Sequence, residues 1–252
     1  MKKIVLACDL DNTLIHSFSH KVPGDILVEL LRDKAQGYMS CGAFQGLREL
    51  GESIEIIPVT TRSVEQYRRI KLPVSCKRAI TTNGGILLTD GQPDPDWQAA
   101  SLAKARELMP LMEELKAGLE GAKDINVSRI VDDMYLYISA ADRERAEDYL
   151  ARYSDVKGLN VVISGRKVYF LPPCFTKGGA LKRLLGSEKD LYLIAAGDST
   201  IDLSMLDIAD LSLMPADLAA LSEAAHKSVF NGGGDFGEFV VRSVMQKAKT
   251  FR

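Results

Sequence analysis

The sequence is poor in several features that would mark specialised classes of protein. Its 252 residues include only four cysteines, at positions 8, 41, 76 and 174, and no two of them form a C-x-x-C pair. This spacing indicates neither a zinc site nor a disulfide framework, and it is typical of buried or incidental thiols in a reducing compartment. We therefore expect a cytoplasmic protein.

A charge excess of one sign and long apolar runs are also lacking. The formal net charge is −2, and without a polybasic segment there is no electrostatic signal for nucleic acid or an anionic membrane surface. No stretch approaches the ~20 apolar residues of a membrane-spanning helix. The composition, 46% hydrophobic and 26% charged, is that of an ordinary globular protein. We expect neither nucleic acid nor membrane among its partners, and the oligomeric state stays open.

The most informative stretch covers residues 4–13, with the sequence IVLACDLDNT. Its apolar half predicts a strand that is buried on both faces of a parallel sheet. Asp9 and Asp11 follow, and two carboxylates ~4 Å apart at an effective dielectric of about 20 repel each other by ~4 kcal/mol. A divalent cation or a shared proton relieves that cost, and oxygen-rich sites suit Mg²⁺. A pair of solvated turn acids is the alternative, which so apolar a strand disfavours.

The next segment predicts strands that alternate with helices. Helices are predicted over 25–34, 42–50 and 63–69, the last with a capping box formed by Ser63 and Gln66. A second strand, over 53–59, leads into Thr60, Thr61 and Arg62, and a third, over 78–82, leads into Asn83. Such alternation is typical of a doubly wound parallel sheet, in which ligands bind at the carboxyl ends of the strands.

Residues 84–172 follow another pattern. They predict a helix over 97–119, strands over 125–131 and 134–138, a helix over 141–153, and strands over 159–163 and 167–171. Neighbouring strands separated by short turns favour hairpins, so this order predicts a small antiparallel α+β unit. We predict a second domain at 84–172, inserted into a discontinuous core formed by 1–83 and 173–252.

The first pattern returns after the insertion. Thr176 is positioned to cap a helix that begins at Lys177 and ends near residue 185. A strand over 190–196 then leads into Asp198 and Asp202, and the chain closes with strands over 211–214 and 228–230 and helices over 216–225 and from 236 onward. The predicted strand ends and helix starts thus carry the polar residues Asp9, Asp11, Thr60, Lys177, Asp198 and Asp202.

These side chains match the needs of phosphoryl transfer, namely a nucleophile, a cation, donors for the phosphoryl oxygens and an acid. Asp9 is the candidate nucleophile, which would form an aspartyl-phosphate, and Asp11 is the candidate acid and base. The predicted phosphate-binding residues are Thr60, Thr61, Asn83 and Lys177. The predicted metal site comprises Asp9, Asp11, Asp198 and Asp202, with Asp202 orienting the metal shell.

In their order, these motifs resemble those of the haloacid dehalogenase superfamily of phosphatases, in its Cof-like and sucrose-phosphatase-like branch. The D-x-D-x-T motif of that family resembles residues 9–13, and its Thr at the end of the second strand resembles Thr60. Its Asn-Gly, K-G-x-A-L and G-D-x-x-N-D motifs resemble residues 83–84, 177–181 and 197–202. The resemblance covers nearly the whole chain and implies an α/β fold, a Rossmann-like doubly wound parallel-sheet core with an inserted smaller α+β cap domain. It also implies Mg²⁺-dependent hydrolysis of a small phosphorylated metabolite, with a sugar phosphate favoured.

Three departures from the family pattern are present: Ile201 replaces an Asn, Thr61 replaces a Gly, and residues 214–216 replace a Met-Gly-Asn run. Two alternatives to a phosphatase therefore stay open. A related branch of the family consists of phosphomutases with similar caps and the same paired acids. A non-catalytic protein that binds a phosphorylated metabolite would fit the loss of the Asn and the Gly.

Other interpretations of single features are weaker. A calcium-binding EF-hand at residues 9–20 fails because Leu14 and His20 stand where the loop needs Gly and Glu. A response-regulator receiver would end its third strand in the phosphorylated Asp, whereas this one leads into Asn83. Arg62 either reaches substrate or pairs with an acid, and pairing is favoured. Basic residues of the insertion, Arg129, Arg166 and Lys167, could meet an anionic substrate, although solvation is the commoner fate of such residues.

Overall fold

The structure, a computed structural model, describes residues 2–251. Its strands are β1 (Lys3–Cys8), β2 (His16–Ser17), β3 (Ile26–Leu31), β4 (Lys34–Met39), β5 (Glu55–Pro58), β6 (Arg78–Thr81), β7 (Ile86–Thr89), β8 (Gln92–Pro93), β9 (Ile125–Val131), β10 (Tyr135–Ala140), β11 (Asn160–Ser164), β12 (Lys167–Leu171), β13 (Leu191–Ala196), β14 (Leu211–Pro215) and β15 (Lys227–Phe230). Its α-helices are α1 (Cys41–Leu50), α2 (Val64–Arg68), α3 (Pro95–Arg106), α4 (Met109–Gly118), α5 (Arg143–Tyr153), α6 (Lys177–Leu185), α7 (Leu203–Leu206), α8 (Ala216–Ala219) and α9 (Phe236–Lys249). No helix of residues 2–251 combines the length and the apolar character that crossing a membrane requires.

Strand β1 lies inside a five-stranded parallel sheet with the order β15-β14-β13-β1-β5. Leu6 and Cys8 pack with α1 and α9 on one face, whereas Val5 and Ala7 pack with α6 and α7 on the other. Because successive strand residues point to opposite faces, a strand that helices cover on both sides is apolar throughout. The structure confirms the predicted doubly wound sheet with β1 as a buried strand.

The predicted third strand forms β6, but most of its pairing differs from the prediction. A parallel bridge joins Val59 to Ile80 at the edge of the main sheet. Beyond this bridge, β6 pairs antiparallel with β7, which in turn pairs with β8. The chain reverses at Thr82 and Asn83, both of which have positive φ. The edge next to β5 is therefore a small antiparallel sheet.

The insertion forms the predicted antiparallel sheet, in the order β11-β12-β10-β9. One face of this sheet packs against α3, α4 and α5, and its central apolar side chains are Leu136, Ile138, Val168 and Phe170. The helices therefore cover a single face of the sheet, as is usual for an α+β unit. The structure thus has the predicted fold class, a parallel α/β core with an added α+β unit, while the domain boundaries at 84 and 172 stay a prediction.

The helix predicted over 25–34 is wrong, because this segment forms the β3–β4 hairpin, which β2 extends. Arg32 and Asp33 form the two-residue turn and have φ values of 50° and 61°. Turns with two positive φ values match the twist of a hairpin, but they usually contain Asn-Gly or Asp-Gly. The Arg-Asp pair gives no such signal, and the apolar run of residues 26–31 fits either periodicity. Pairing with β4 decides the conformation.

Two predicted helices are shorter than expected. The helix predicted over 97–119 breaks into α3 and α4, because Pro110 lacks an N–H group and clashes with the preceding turn of a continuous helix. The helix predicted over 216–225 ends at Ala219. There the Ser222 hydroxyl donates to the Asp207 carboxylate at 2.7 Å and accepts the N–H of Ala224 at 3.1 Å. These bonds compete with continuation of the helix.

Candidate active site

Polar side chains from four segments meet at the carboxyl edge of the parallel sheet. Asp9 follows β1, Thr60 follows β5 and Asp198 follows β13, while Lys177 is the first residue of α6. Asp9, Thr60 and Lys177 are exposed by only 5%, 0% and 1%. Parallel strands present their carboxyl ends at one edge, so residues far apart in sequence become neighbours. The sequence prediction that these residues belong together agrees with their placement.

The Lys177 ammonium group lies between two buried carboxylates. Its Nζ donates to Oδ1 of Asp9 and to Oδ1 of Asp202, each at 2.5 Å. Burial lowers the pKa of Lys177, but the two acids raise it by more, so the side chain stays charged. Gly178 lets α6 approach closely enough for this contact, since a Cβ there would lie 1.8 Å from the carbonyl oxygen of Ser204.

Both carboxylate oxygens of Asp202 are occupied by protein donors. Oδ1 accepts from Lys177, and Oδ2 accepts the N–H groups of Asp198 and Ser199 at 3.1 and 3.0 Å and the Ser199 hydroxyl at 3.1 Å. Asp202 therefore fixes the lysine and the loop that carries Asp198. Its predicted orienting role around a metal site stays a prediction.

Asp9, Asp198 and Asp202 form a cluster in which one oxygen from each lies within 4.8 Å of the others. When all three are ionised, the single Lys177 charge leaves a net charge of −2 in a buried site. Burial and the charge of Asp202 raise the pKa of Asp9 to about 7 against the opposing effect of Lys177. Burial, Asp9 and Asp202 raise the pKa of Asp198 to about 8. A cation would remove this repulsion, and an all-carboxylate donor set fits a hard divalent ion.

Asp11 lies outside this cluster, although the sequence analysis placed it among the metal residues. The Arg62 guanidinium donates to both of its oxygens, from Nε to Oδ2 at 2.9 Å and from Nη2 to Oδ1 at 2.8 Å. Burial raises the pKa of Asp11, but the bonds from Arg62 and the charge of Lys167 outweigh it and lower the pKa to about 2. Asp11 is therefore held as a carboxylate, and Arg62 has the favoured acid-pairing role.

Glu29 is a buried partner of this pair that the sequence analysis missed. It accepts from Nη1 and Nη2 of Arg62 at 2.7 and 2.9 Å and from Nε of Arg69 at 3.3 Å, and its side chain is 1% exposed. Glu29 is on β3, in the segment predicted as a helix. The available signal was the one charged residue in the apolar run of residues 26–31, because a buried acid needs a cationic partner.

Replacement of Glu29 by Gln is expected to lower the free energy of unfolding by about 2 kcal/mol, because buried Arg62 loses a charged hydrogen-bond partner. Urea unfolding would measure the loss. Glu65→Gln is the matched control, since Glu65 also pairs with an arginine but has a side chain that is 89% exposed, and we expect it to be nearly neutral. Equal effects of the two substitutions would contradict a stabilising role for the buried network.

The two threonines after β5 have different surroundings. Thr60 is fully buried, and its hydroxyl accepts the N–H of Arg62 at 3.2 Å. Thr61 faces the insertion: its carbonyl accepts the Tyr135 hydroxyl, and its Oγ1 lies 3.4 Å from the hydroxyl of Tyr169. The side chain that replaces the Gly of the family pattern thus contacts the antiparallel sheet.

Asn83 and Ile201 make structural contacts. The Asn83 amide nitrogen donates to the carbonyl of Phe175 at 2.8 Å, which fixes the chain just before α6, while its Oδ1 is buried without a partner among residues 2–251. A phosphate contact of Asn83 stays a prediction. Ile201 is 9% exposed and belongs to the apolar cluster of the insertion. The side chain at the position where the family pattern has an Asn therefore packs against apolar side chains of the insertion.

A cavity of about 880 Å³ lies next to this site. One wall contains Asp11, Thr61 and Arg62 together with the β3–β4 hairpin, including Glu29. The opposite wall comes from β9, β10 and β12 of the insertion and contains Arg129, Tyr135, Tyr137, Lys167 and Tyr169. Asp11 and Thr61, which are close in sequence to Asp9 and Thr60, connect the cavity to the buried site, whereas Asp9 and Thr60 themselves do not line it.

No protein-family model matches the sequence, and no curated protein sequence matches it. Solved structures do match over nearly the whole chain. The sucrose-phosphatase of Synechocystis, solved with sucrose and phosphate, has 14% identity and a TM-score of 0.64, with 98% of each chain covered. A trehalose-6-phosphate phosphatase related protein has 15% identity and a TM-score of 0.60, with 99% of this chain and 100% of that one covered.

A haloacid dehalogenase-like hydrolase from B. subtilis matches with 18% identity and a TM-score of 0.57, covering 95% of this chain and 99% of that one. These matches include the insertion as well as the parallel sheet, because they cover nearly all of each chain. Identity this low reflects shared architecture, and the activity has to be argued from the site itself. The chain shares the haloacid dehalogenase-like fold of these solved proteins, including the inserted α+β unit.

Proposed function

We propose that this protein is a Mg²⁺-dependent phosphomonoester hydrolase that acts on a small phosphorylated metabolite, with a sugar phosphate as the favoured class. The observation that carries the proposal is the state of Asp9. Lys177 holds one of its oxygens, and no donor among residues 2–251 occupies the other, so a nucleophilic oxygen is free beside a fixed cation. Support for the substrate class comes from two proteins of the same fold whose names refer to sucrose and trehalose phosphates.

Asp9 and Asp198 are the residues that would hold the metal, and Asp202, whose Oδ2 already accepts three hydrogen bonds, would orient them. The bound Mg²⁺ would screen the negative charge of the phosphoryl group. Thr60 and the third N–H of Lys177 are the donors we assign to the phosphoryl oxygens. We further infer that residues 84–172 act as a cap, because their sheet forms one wall of the cavity beside Thr61.

The chemistry then proceeds in two displacements. The free oxygen of Asp9 attacks phosphorus, the bond to the leaving oxygen breaks, and Asp11 gives that oxygen a proton. Asp11 next takes a proton from water, which attacks phosphorus and breaks the bond to Asp9, so phosphate leaves and both carboxyl groups are restored. Arg62 holds Asp11 ionised before substrate enters. The acid step therefore requires the Arg62 contact to weaken once the substrate is bound, so that Asp11 takes up a proton from solvent before it protonates the leaving oxygen. The proton that Asp11 later takes from the attacking water returns to solvent when the Arg62 contact forms again.

Release of inorganic phosphate from p-nitrophenyl phosphate, measured with Mg²⁺ and again with excess chelator, tests the proposal. We expect turnover only with Mg²⁺. A requirement for an activating bisphosphate, with a phosphorylated product in place of free phosphate, would instead identify a phosphomutase. Binding of phosphorylated metabolites without turnover of any of them would identify a binding protein.

The stabilisation that Mg²⁺ gives is expected to grow with pH. The folded protein without a cation keeps protons on Asp9 and Asp198 up to pH values of about 7 and 8, whereas the unfolded chain loses them near pH 4. Folded protein binds more protons in this window, so its stability falls as pH rises from about 4 to 8. Mg²⁺ needs ionised ligands and removes the repulsion between them. Its increase of Tm should therefore be larger at pH 8 than at pH 5.5.

Thermal unfolding with and without Mg²⁺ at the two pH values checks this expectation. Asp198→Asn removes one of the two assigned ligands and should abolish most of the increase at pH 8. An increase of the same size at both pH values, or an undiminished one in Asp198→Asn, would contradict the assigned site.

A further inference from the structure

Much of one face of the insertion's sheet lines the cavity of about 880 Å³. Strand residues alternate between faces, and Ile138 and Val168, which are paired neighbours on the other face, are buried in the apolar core. The other face of the sheet, which lines the cavity, carries the residues that alternate with these apolar ones along the strands. They are Val127, Arg129, Val131, Tyr135, Tyr137, Ser139, Ser164, Lys167 and Tyr169. The face that a bound molecule meets is therefore polar, aromatic and cationic.

Three cations on this wall lack carboxylate partners. Arg129, Arg166 and Lys167 line the cavity, and none of them forms a salt bridge with another residue of 2–251. The cavity's other two arginines, Arg62 and Arg69, both contact Glu29. Since five cations but only two carboxylates, Asp11 and Glu29, line the cavity, its lining has a net charge of +3 when the histidines are neutral.

Lys167 lies in a row of hydrogen-bonding side chains. In the antiparallel register, Ser139 is opposite it on β10 and Ser164 is opposite it on β11. All three line the cavity, and neither serine hydroxyl is used in a hydrogen bond within residues 2–251. Opposite residues in such a sheet have Cβ atoms about 5 Å apart. An ammonium group flanked by two hydroxyls is a set of donors suited to an anionic group with several oxygens.

A neighbouring row adds a second cation at the rim. Arg129, Tyr137 and Tyr169 occupy opposed positions on β9, β10 and β12, and the Arg129 guanidinium lies 5.6 Å from the centre of the Tyr137 ring. Tyr169 and Asp11 raise the pKa of Lys167, which keeps its charge in the cavity. Both rows face the wall that carries Asp11 and Thr61.

We propose that this wall binds a second anionic group, a carboxylate or a second phosphate, on the part of the substrate that leaves. Lys167, Ser139 and Ser164 bind that group, and Arg129 supports them from the rim. The inference rests on the proposed function, because it assumes that the phosphoryl group to be transferred lies at Asp9. It narrows the substrate class from sugar phosphates in general to phosphomonoesters with a further negative charge.

Matched pairs of compounds test the inference by binding as well as by turnover. Glucose 6-phosphate and 6-phosphogluconate differ in a carboxylate, and fructose 6-phosphate and fructose 1,6-bisphosphate differ in a phosphate. Calorimetric titration of the full-length Asp9→Asn variant with Mg²⁺ should give the compound with the extra charge an affinity about tenfold higher or more in at least one pair. The pair that shows the preference identifies the group that is bound.

Substitutions then locate the site. Lys167→Met should abolish the preference, while Lys157→Met, which changes an exposed lysine outside the cavity, should retain it. If Lys167→Met does not fold, Arg129→Gln serves, with Arg152→Gln as its match because Arg152 also lies over a tyrosine ring, 5.9 Å from the centre of Tyr153, but outside the cavity. Arg129→Gln should weaken the preference, and Arg152→Gln should leave it unchanged.

Two results would overturn the inference. One is equal affinity for both members of each pair, and the other is a preference that survives both cavity substitutions. Neither would affect the proposed function if p-nitrophenyl phosphate is still hydrolysed with Mg²⁺. Conversely, a preference for the doubly charged compounds without turnover of any phosphomonoester by the unsubstituted protein would refute the hydrolase and leave the anion site in place.

Discussion

Replacement of Asp9 by Asn is expected to lower the rate of p-nitrophenyl phosphate hydrolysis on the order of 10⁴-fold or more, the scale at which hydrolases respond to loss of their nucleophile. The amide keeps the shape of the side chain but cannot form the aspartyl-phosphate. It also removes one charge from the acidic cluster, so the variant should be no less stable than the unsubstituted protein. Steady-state phosphate release and urea unfolding measure the two effects separately.

A matched control and a second variant sharpen this result. Asp155→Asn alters an exposed aspartate far along the chain in the insertion and should leave the rate unchanged. Asp11→Asn keeps the nucleophile, so an aryl phosphate, whose leaving group needs little help from an acid, should still phosphorylate Asp9 while hydrolysis stalls. Mass spectrometry of the quenched protein would detect the phosphorylated chain. Turnover of Asp9→Asn at a rate close to that of Asp155→Asn would refute the mechanism.

Replacement of Lys177 by Met is expected to lower the free energy of unfolding by about 3–5 kcal/mol without Mg²⁺, because it leaves Asp9 and Asp202 buried without their shared cation. Hydrolysis should fall about 10²–10³-fold even with Mg²⁺, since a donor to the phosphoryl oxygens is lost. Urea unfolding and phosphate release provide the measurements. Lys182→Met, on the exposed side of the same helix, is the control, and we expect it to be nearly neutral.

The double variant Lys177→Met/Asp202→Asn separates stability from chemistry. Removal of the Asp202 charge leaves one buried carboxylate, instead of two, without the lysine. We therefore expect the double variant to regain at least half of the free energy of unfolding that Lys177→Met loses. Hydrolysis should not return, because the ammonium donor is still absent. A single Lys177→Met variant as stable as Lys182→Met, or full activity in the double variant, would contradict the dual role assigned to this lysine.

The parallel core, the insertion and most of their strands could be predicted because they depend on local patterns. Residues 4–8 are apolar without alternation, which only a strand covered on both faces requires, and in the structure this strand lies inside the sheet, between β13 and β5. The convergence of Asp9, Thr60, Lys177 and Asp198 could also be predicted, since a parallel sheet brings its carboxyl ends to one edge whatever lies between them. Sequence alone therefore determined the fold class and the main candidates for the site.

Other features were decided by tertiary contacts. The β3–β4 segment could be a helix or a hairpin by its own pattern, and pairing made it a hairpin that presents Glu29 to Arg62. Arg62 in turn contacts Asp11, which lies outside the cluster formed by Asp9, Asp198 and Asp202. Charge pairing in a buried site depends on distances of a few ångströms between distant parts of the chain, which no local pattern records. The amino-acid sequence thus determined that Asp9 and Asp11 lie two residues apart after one strand. Only the folded structure decided that Asp9 pairs with Lys177 and Asp11 with Arg62.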